Sequence, residues 1–207
     1  MANEFYALLG RMRYITRWGL MRNTFSENIQ EHSHQVAVLA HALALIRREI
    51  LQLDGPDPDK CAVAALYHDT SEILTGDLPT PIKYYNPEIK AAYKQVERVA
   101  GEHLLGMLPP QLRDCYAPLV LEDDPEVTPV VKAADKLSAY IKCVEEQKAG
   151  NTEFDSGCRH QIMTQTPKGP ASLFCAATVN RTISNADARW ASANKKPTAS
   201  QSVFSHS

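Results

Sequence analysis

Tyr67-His68-Asp69-Thr70-Ser71-Glu72 is the stretch on which the reading of this chain turns. An imidazole and a carboxylate stand side by side. Glu72 follows four residues after His68 and three after Asp69, on the same side of a helix. Ahead of them, Cys61, Ala62, Ala65 and Leu66 share one face of a helix that Asp57-Pro58 opens as N-cap and first-turn proline. The His68-Asp69 pair thus falls near that helix's C-terminal end, where neighbouring side chains can converge on one ion. Upstream stands His32 in Glu31-His32-Ser33, and downstream stands Asp135 in Ala134-Asp135-Lys136. His32, His68, Asp69 and Asp135 form a full set of protein ligands for one divalent cation, with positions left for water and substrate. Plainer alternatives exist: partner-bonded histidines, a capping or solvated Asp69, and an arginine pair for Asp135. Asp135 follows Val131 and Ala134 on an otherwise apolar face, where a carboxylate needs a strong partner.

Helical periodicity carries the rest of the body. Phe5, Leu8, Leu9, Met12 and Ile15 predict a first helix, which runs into a loop containing Arg17, Trp18 and Gly19. Asn28 with Glu31 three residues on forms a capping box for a second helix, ending near Leu53. Ser71 to Leu74 continues briefly as helix, and the Gly and Pro residues of Thr75–Pro81 exclude regular structure there. Asn86-Pro87 opens a long helix with Tyr93, Val96, Val99, Ala100 and Leu104 inward, stopping near Met107. A short helix over Gln111–Leu119 and a turn at Glu122–Pro125 follow. Thr128-Pro129 opens a last helix, with Val130, Val131, Ala134, Leu137, Ile141 and Val144 inward, that stops at Ala149-Gly150-Asn151. No strand pattern appears, so the body, residues 1–155, is predicted to be all-α.

The chain has 207 residues and a net charge of -2, so no basic field points to nucleic acid or an acidic membrane surface. No apolar run reaches the length of a membrane span, and no secretory leader is recognisable. Five cysteines without a CxxC pair fit free thiols in a reducing cytoplasm. From Gly157 onward six bases face the single acid Asp187, a net +5, and Thr, Ser, Asn, Pro and Ala dominate. Residues 156–207 are therefore expected to be an irregular or disordered tail.

His32, the His68-Asp69 pair and Asp135, all on helices, resemble the HD-domain phosphohydrolase superfamily. The likeness is closer to the bacterial 5′-deoxynucleotidases. It is carried by Arg17-Trp18 with Leu20-Met21-Arg22-Asn23, by Glu31-His32-Ser33 and by Tyr67-His68-Asp69. Thr75-Gly76-Asp77-Leu78-Pro79-Thr80-Pro81-Ile82-Lys83-Tyr84, Ala134-Asp135 and Gly150-Asn151-Thr152-Glu153-Phe154 complete it. The likeness spans roughly residues 4–154. It implies an HD-domain helical bundle that hydrolyses deoxynucleoside 5′-monophosphates to deoxynucleosides and phosphate. It also implies one divalent transition metal, cobalt or manganese among the candidates, on His32, His68, Asp69 and Asp135, and a homodimer. Arg17, Trp18 and the Asp77-Leu78-Pro79-Thr80 loop are implied in substrate binding, with His32, Asp69 and Asp135 beside them, and Glu72, Arg17 and Asp69 are candidate catalytic residues. Beyond Phe154 the likeness fails abruptly, which suggests a frameshifted or replaced reading frame and puts dimerisation in doubt.

Phosphate monoester chemistry gives these residues work. Arg17 offers a permanently charged fork for phosphate oxygens. Glu72 or Asp77 is placed to give the departing 5′-oxygen a proton, Glu72 being preferred. Trp18 either walls the sugar where a 2′-hydroxyl would sit or is a core tryptophan. Another HD phosphohydrolase, acting on a nucleoside triphosphate, cyclic nucleotide or alarmone, is one alternative function. A non-catalytic nucleotide-binding helical module is another.

Overall fold

Local capping chemistry sets the helix starts in the computed structural model, which describes residues 4–155. Helix α1 (Glu4–Leu9) tightens into a 3₁₀ turn over Gly10–Tyr14. Helix α2 (Ile29–Leu45) begins at the expected capping box: Asn28 Oδ1 accepts from the Glu31 N–H at 3.0 Å, and Glu31 Oε2 accepts from the Asn28 N–H at 3.1 Å. It ends as a π-helical turn over Ile46–Ile50, short of the expected Leu53. In α3 (Pro58–Tyr67) Asp57 caps by accepting from the Asp59 N–H. Helices α4 (Glu72–Thr75) and α5 (Thr80–Lys83) are single turns. Asn86 caps α6 (Pro87–Gly106) by accepting from the Ile89 N–H at 2.7 Å. Helices α7 (Pro110–Val120) and α8 (Val127–Lys148) follow, with Asp124 accepting from the Glu126 and Val127 N–H groups at the start of α8. Gly150, at φ 84°, takes the left-handed conformation that stops α8. Among the described residues the single β feature is an isolated antiparallel bridge between Thr16 and Asn28.

Helices α2, α3 and α8 pack on one another, and this trio carries the site. Val36, Ala40, Cys61, Ala65, Val131 and Ala134 are buried. A second cluster joins α1, α6 and α7 through Phe5, Leu104, Leu105, Leu108 and Val120, with Tyr116 edge-on to Phe5.

Three expectations from periodicity fail. Leu66 is 43% exposed, and Val96 and Val99 on α6 are 50% and 54% exposed. Apolar spacing marks a face; it does not say whether a neighbouring helix covers that face. Within the Thr75–Pro81 stretch only Gly76 to Pro79 is irregular, because Thr75 ends α4 and Thr80 and Pro81 start α5. No helix among the described residues is long and apolar enough to cross a membrane. The expected irregular tail, 156–207, and its frameshift reading lie outside the described residues.

Candidate metal centre

Each helix of the packed trio delivers one side chain to a common point. His32 comes from the second turn of α2, His68 from the residue that ends α3, and Asp135 from the middle of α8. One ligand atom from each lies within 4.8 Å of the others. Asp69 joins them: its Oδ2 is 3.2 Å from His68 Nε2 and 3.6 Å from His32 Nε2, while His32 Nε2 is 3.0 Å from Asp135 Oδ1. The four residues that the sequence singled out therefore meet.

Hydrogen bonds behind the imidazoles decide which nitrogen faces the site. His68 Nδ1–H donates to the Ala65 carbonyl at 2.7 Å, so Nε2 is the inward atom, buried and without a hydrogen-bond partner. The Ser138 hydroxyl donates its one proton to Gln35 Oε1 at 2.7 Å, so its oxygen is left to accept from His32 Nδ1–H at 3.2 Å. Both rings thereby turn Nε2 toward the site, the orientation that metal-binding histidines adopt. Ser138 and Gln35 had no signal in the sequence, since both look like ordinary small or polar helix residues.

Two carboxylates meet in the site and shift the groups that titrate beside them. Burial works against a charged His68, yet the Asp69 and Asp135 carboxylates outweigh it and push the ring up to about 9. Burial likewise works against an ionised Asp69, and His68, His32 and Arg17 overcome it, holding the carboxyl far below its usual range. Such a cluster binds a cation, either a proton or a metal. Two donors each bonded to one ion at about 2.1 Å sit roughly 3.0–3.4 Å apart at octahedral to tetrahedral angles. The observed 3.0 and 3.2 Å separations fall in that range and the 3.6 Å one lies just beyond it, so the residues present fit a divalent ion.

Arg17 closes one side. Its Nη1 lies 3.4 Å from Asp69 Oδ2 and its Nε donates to Glu27 Oε2 at 3.1 Å. Burial opposes its charge, but Asp69, Asp135, Glu27 and Asp77 raise its pKa further. Trp18 points its ring at Phe154, centroids 5.3 Å apart, and joins the cluster around Cys143 and Phe154. It is a core contact as well as Arg17's neighbour. The loop between them and Glu27 is tied down from α8. Buried Glu146 accepts from the Thr24 and Phe25 N–H groups and from Asn151, and Lys142 bonds both Glu146 and the Phe25 carbonyl.

Glu72 is buried and reaches the site by a turn, not by a continuous helix. The chain passes through tight turns over His68–Ser71, where Thr70 Oγ1 donates to the Tyr67 carbonyl, before α4 begins. Burial and the nearby Asp69 and Asp77 charges push the Glu72 carboxyl up to about 8, with Lys83 opposing. Lys83 Nζ donates to Glu72 Oε1 at 3.0 Å, while Oε2 has no partner. Gly76, at φ 73°, turns the chain into the Asp77–Pro79 loop, and the Pro79 carbonyl accepts from the Ile82 and Lys83 N–H groups to build α5. One evident result of that loop is to aim Lys83 at Glu72. Asp77 acts on Arg17 and Glu72 through its charge; Leu78 and Pro79 are half-buried and Thr80 is exposed.

The sequence matches the family described as 5′-deoxynucleotidase YfbR-like over residues 4–172, which runs past the point where the likeness was read to stop. A 5′-deoxynucleotidase of Vibrio cholerae is 52% identical over 155 residues, covering 73% of this chain and 79% of that protein. The 5′-deoxynucleotidase YfbR of Salmonella paratyphi B is 50% identical over 156 residues, covering 73% and 77%. Among solved structures, an HD-domain phosphohydrolase of Listeria innocua superposes with a TM-score of 0.69 at 21% identity, covering 78% of each chain. The cyanophage S-2L HD phosphohydrolase, solved with dA and one catalytic Zn2+ ion, superposes with a TM-score of 0.58 at 21% identity, covering 86% and 96%. The all-α fold is therefore that of the HD-domain phosphohydrolases, and the chain belongs to the YfbR-like 5′-deoxynucleotidase family.

Proposed function

We propose that this enzyme hydrolyses deoxyribonucleoside 5′-monophosphates to deoxynucleosides and phosphate at the site formed by His32, His68, Asp69 and Asp135, with Arg17 on the phosphate. The observation that carries this is the meeting of two tautomer-locked imidazoles with two carboxylates beside a buried arginine. All four would hold one divalent cation, cobalt or manganese being the metals the family resemblance favours. When bound, such an ion supplies Lewis acidity toward a phosphate oxygen and lowers the pKa of a water.

The chain's own groups do the rest. Arg17 cancels charge on the phosphate oxygens that face away from the histidines. Glu72, whose carboxyl pKa burial and acidic neighbours push up, gives a proton to the 5′-oxygen as the P–O bond breaks and water's oxygen bonds to phosphorus, and it takes back the proton that water loses. Lys83 fixes the orientation of Glu72. Asp77 to Thr80 and Trp18 border the sugar and base. Nothing there selects a particular base, so broad base tolerance is expected. A triphosphate would need more cationic groups. Lys83 is already engaged by Glu72 and Glu97, which favours a monophosphate. We read the enzyme as a cytoplasmic homodimer, which light scattering and fractionation test.

The deciding experiment is phosphate release from dAMP, AMP, dATP and a cyclic nucleotide, with EDTA and with added cobalt or manganese. Metal-dependent release from dAMP well above AMP is expected. Release from dATP or the cyclic nucleotide alone identifies another phosphohydrolase, and release from none identifies a binding module.

A further inference from the structure

The sequence treats Glu27 as one more loop acid, yet the structure puts it behind both residues read as meeting the substrate. One oxygen, Glu27 Oε2, accepts from Arg17 Nε at 3.1 Å and from Trp18 Nε1 at 2.9 Å. Glu27 and Arg17 also face each other across the base of the loop. The Arg17 N–H donates to the Glu27 carbonyl at 2.9 Å, the Ile29 N–H donates to the Ile15 carbonyl at 3.0 Å, and Thr16 bridges Asn28. Arg17 and Glu27 side chains are each only 13% exposed.

Two problems meet at this carboxylate. Arg17 sits near Asp69 and Asp135, and unrestrained it would fold onto them and neutralise the carboxylates that hold the cation. Glu27 takes the guanidinium at Nε while Nη1 keeps its 3.4 Å contact with Asp69, and among the described residues no hydrogen bond from Nη2 is formed. Trp18, meanwhile, has φ 59°, a left-handed conformation that bulky residues rarely adopt. Its indole N–H on Glu27 and its ring on Phe154 hold it there.

We propose that Glu27 is a positioning residue that sets both the reach of Arg17 to the phosphate and the pose of Trp18 against the sugar. Removing it therefore weakens catalysis and blurs sugar discrimination together. This rests on the reading of Arg17 and Trp18 as substrate-contacting residues.

The test compares kcat and KM for dAMP and AMP in the metal-loaded full chain with Glu27→Ala, Glu27→Gln, Arg17→Ala and the Arg17→Ala/Glu27→Ala pair, alongside metal titration and thermal melts. Glu27→Ala is expected to lower kcat/KM for dAMP by about 10- to 100-fold, the scale of a small misplacement of a catalytic group. The dAMP-to-AMP preference is expected to fall at unchanged metal stoichiometry. In the Arg17→Ala background the same change is expected to cost less kcat/KM than it does in wild type, because the part that passes through Arg17 is already gone, while the Trp18-linked fall in preference persists. Glu27→Gln keeps an acceptor but no charge, and is expected to lie between wild type and Glu27→Ala. Wild-type kcat/KM and an unchanged preference in both variants overturn the proposal. So does a Glu27→Ala loss undiminished without Arg17. If Glu27→Ala fails to fold, Glu27→Gln alone decides: reduced kcat/KM at a normal melt supports it, and wild-type behaviour overturns it. A wild-type chain that releases no phosphate from dAMP, or a fully active Arg17→Ala, instead brings down the functional reading and this inference with it.

Discussion

Replacing Glu146 with alanine tests how the Arg17 loop is held. Glu146 is 0% exposed and Lys142 is 4% exposed, on the same face of α8 one turn apart. The Glu146 carboxylate accepts from Lys142, from Asn151 at 2.8 Å, and from the Thr24 and Phe25 N–H groups at 2.8 and 3.1 Å. Without it the Lys142 ammonium stays buried with the Phe25 carbonyl as its one remaining acceptor among the described residues. Removing one partner of a buried pair costs about 3–5 kcal/mol. The loop N–H groups belong to exposed residues and regain water, so they add little. A loss of about 4 kcal/mol is expected, which at a typical slope of about 2 kcal/mol/M lowers the urea midpoint by about 2 M. The pH dependence has a definite sign. Burial opposes the Glu146 charge, but the bonds from Lys142, Asn151 and the loop outweigh it and hold its carboxyl far below the usual range. Its contribution is thus fully present above the unfolded value of 4.5 and is lost as pH falls below it. Urea melts of wild type and variant should converge from pH 6 down toward pH 3. A loss under about 1 kcal/mol at pH 7, or a gap independent of pH, would refute the reasoning.

Two further outcomes test other parts of the structure. Ser138→Ala removes the acceptor that fixes the His32 tautomer, and metal affinity by titration calorimetry should weaken about 10- to 100-fold with little change in fold. Asn28→Ala breaks the capping box one turn before His32 and should cost about 1 kcal/mol in thermal or chemical unfolding, while Gly at the same position costs only a few tenths.

Much of the fold was legible because capping and helical spacing are local. Asn28, Asp57 and Asn86 start helices where their side chains predict, and Gly150 ends one. The failures share one cause. Leu66, Val96 and Val99 have the right spacing, but whether a helix covers them depends on distant segments. The same divide runs through the site. His68 and Asp69 declared themselves by adjacency, and Asp135 by its apolar setting. Glu27, Ser138, Gln35 and Glu146 gave no signal, because what distinguishes them is a partner between nine and more than a hundred residues away.

By itself the sequence determined the helices, the four residues proposed to hold the cation, and the arginine set beside them. Those follow from local backbone preferences and from residue type. Only the tertiary structure decided which nitrogen of each imidazole points inward, that Glu72 arrives by a turn and is gripped by Lys83, and that one glutamate oxygen serves both Arg17 and Trp18. A hydrogen bond is directional and short-ranged, so its partner is fixed only once packing has brought the two segments within about 3 Å of each other.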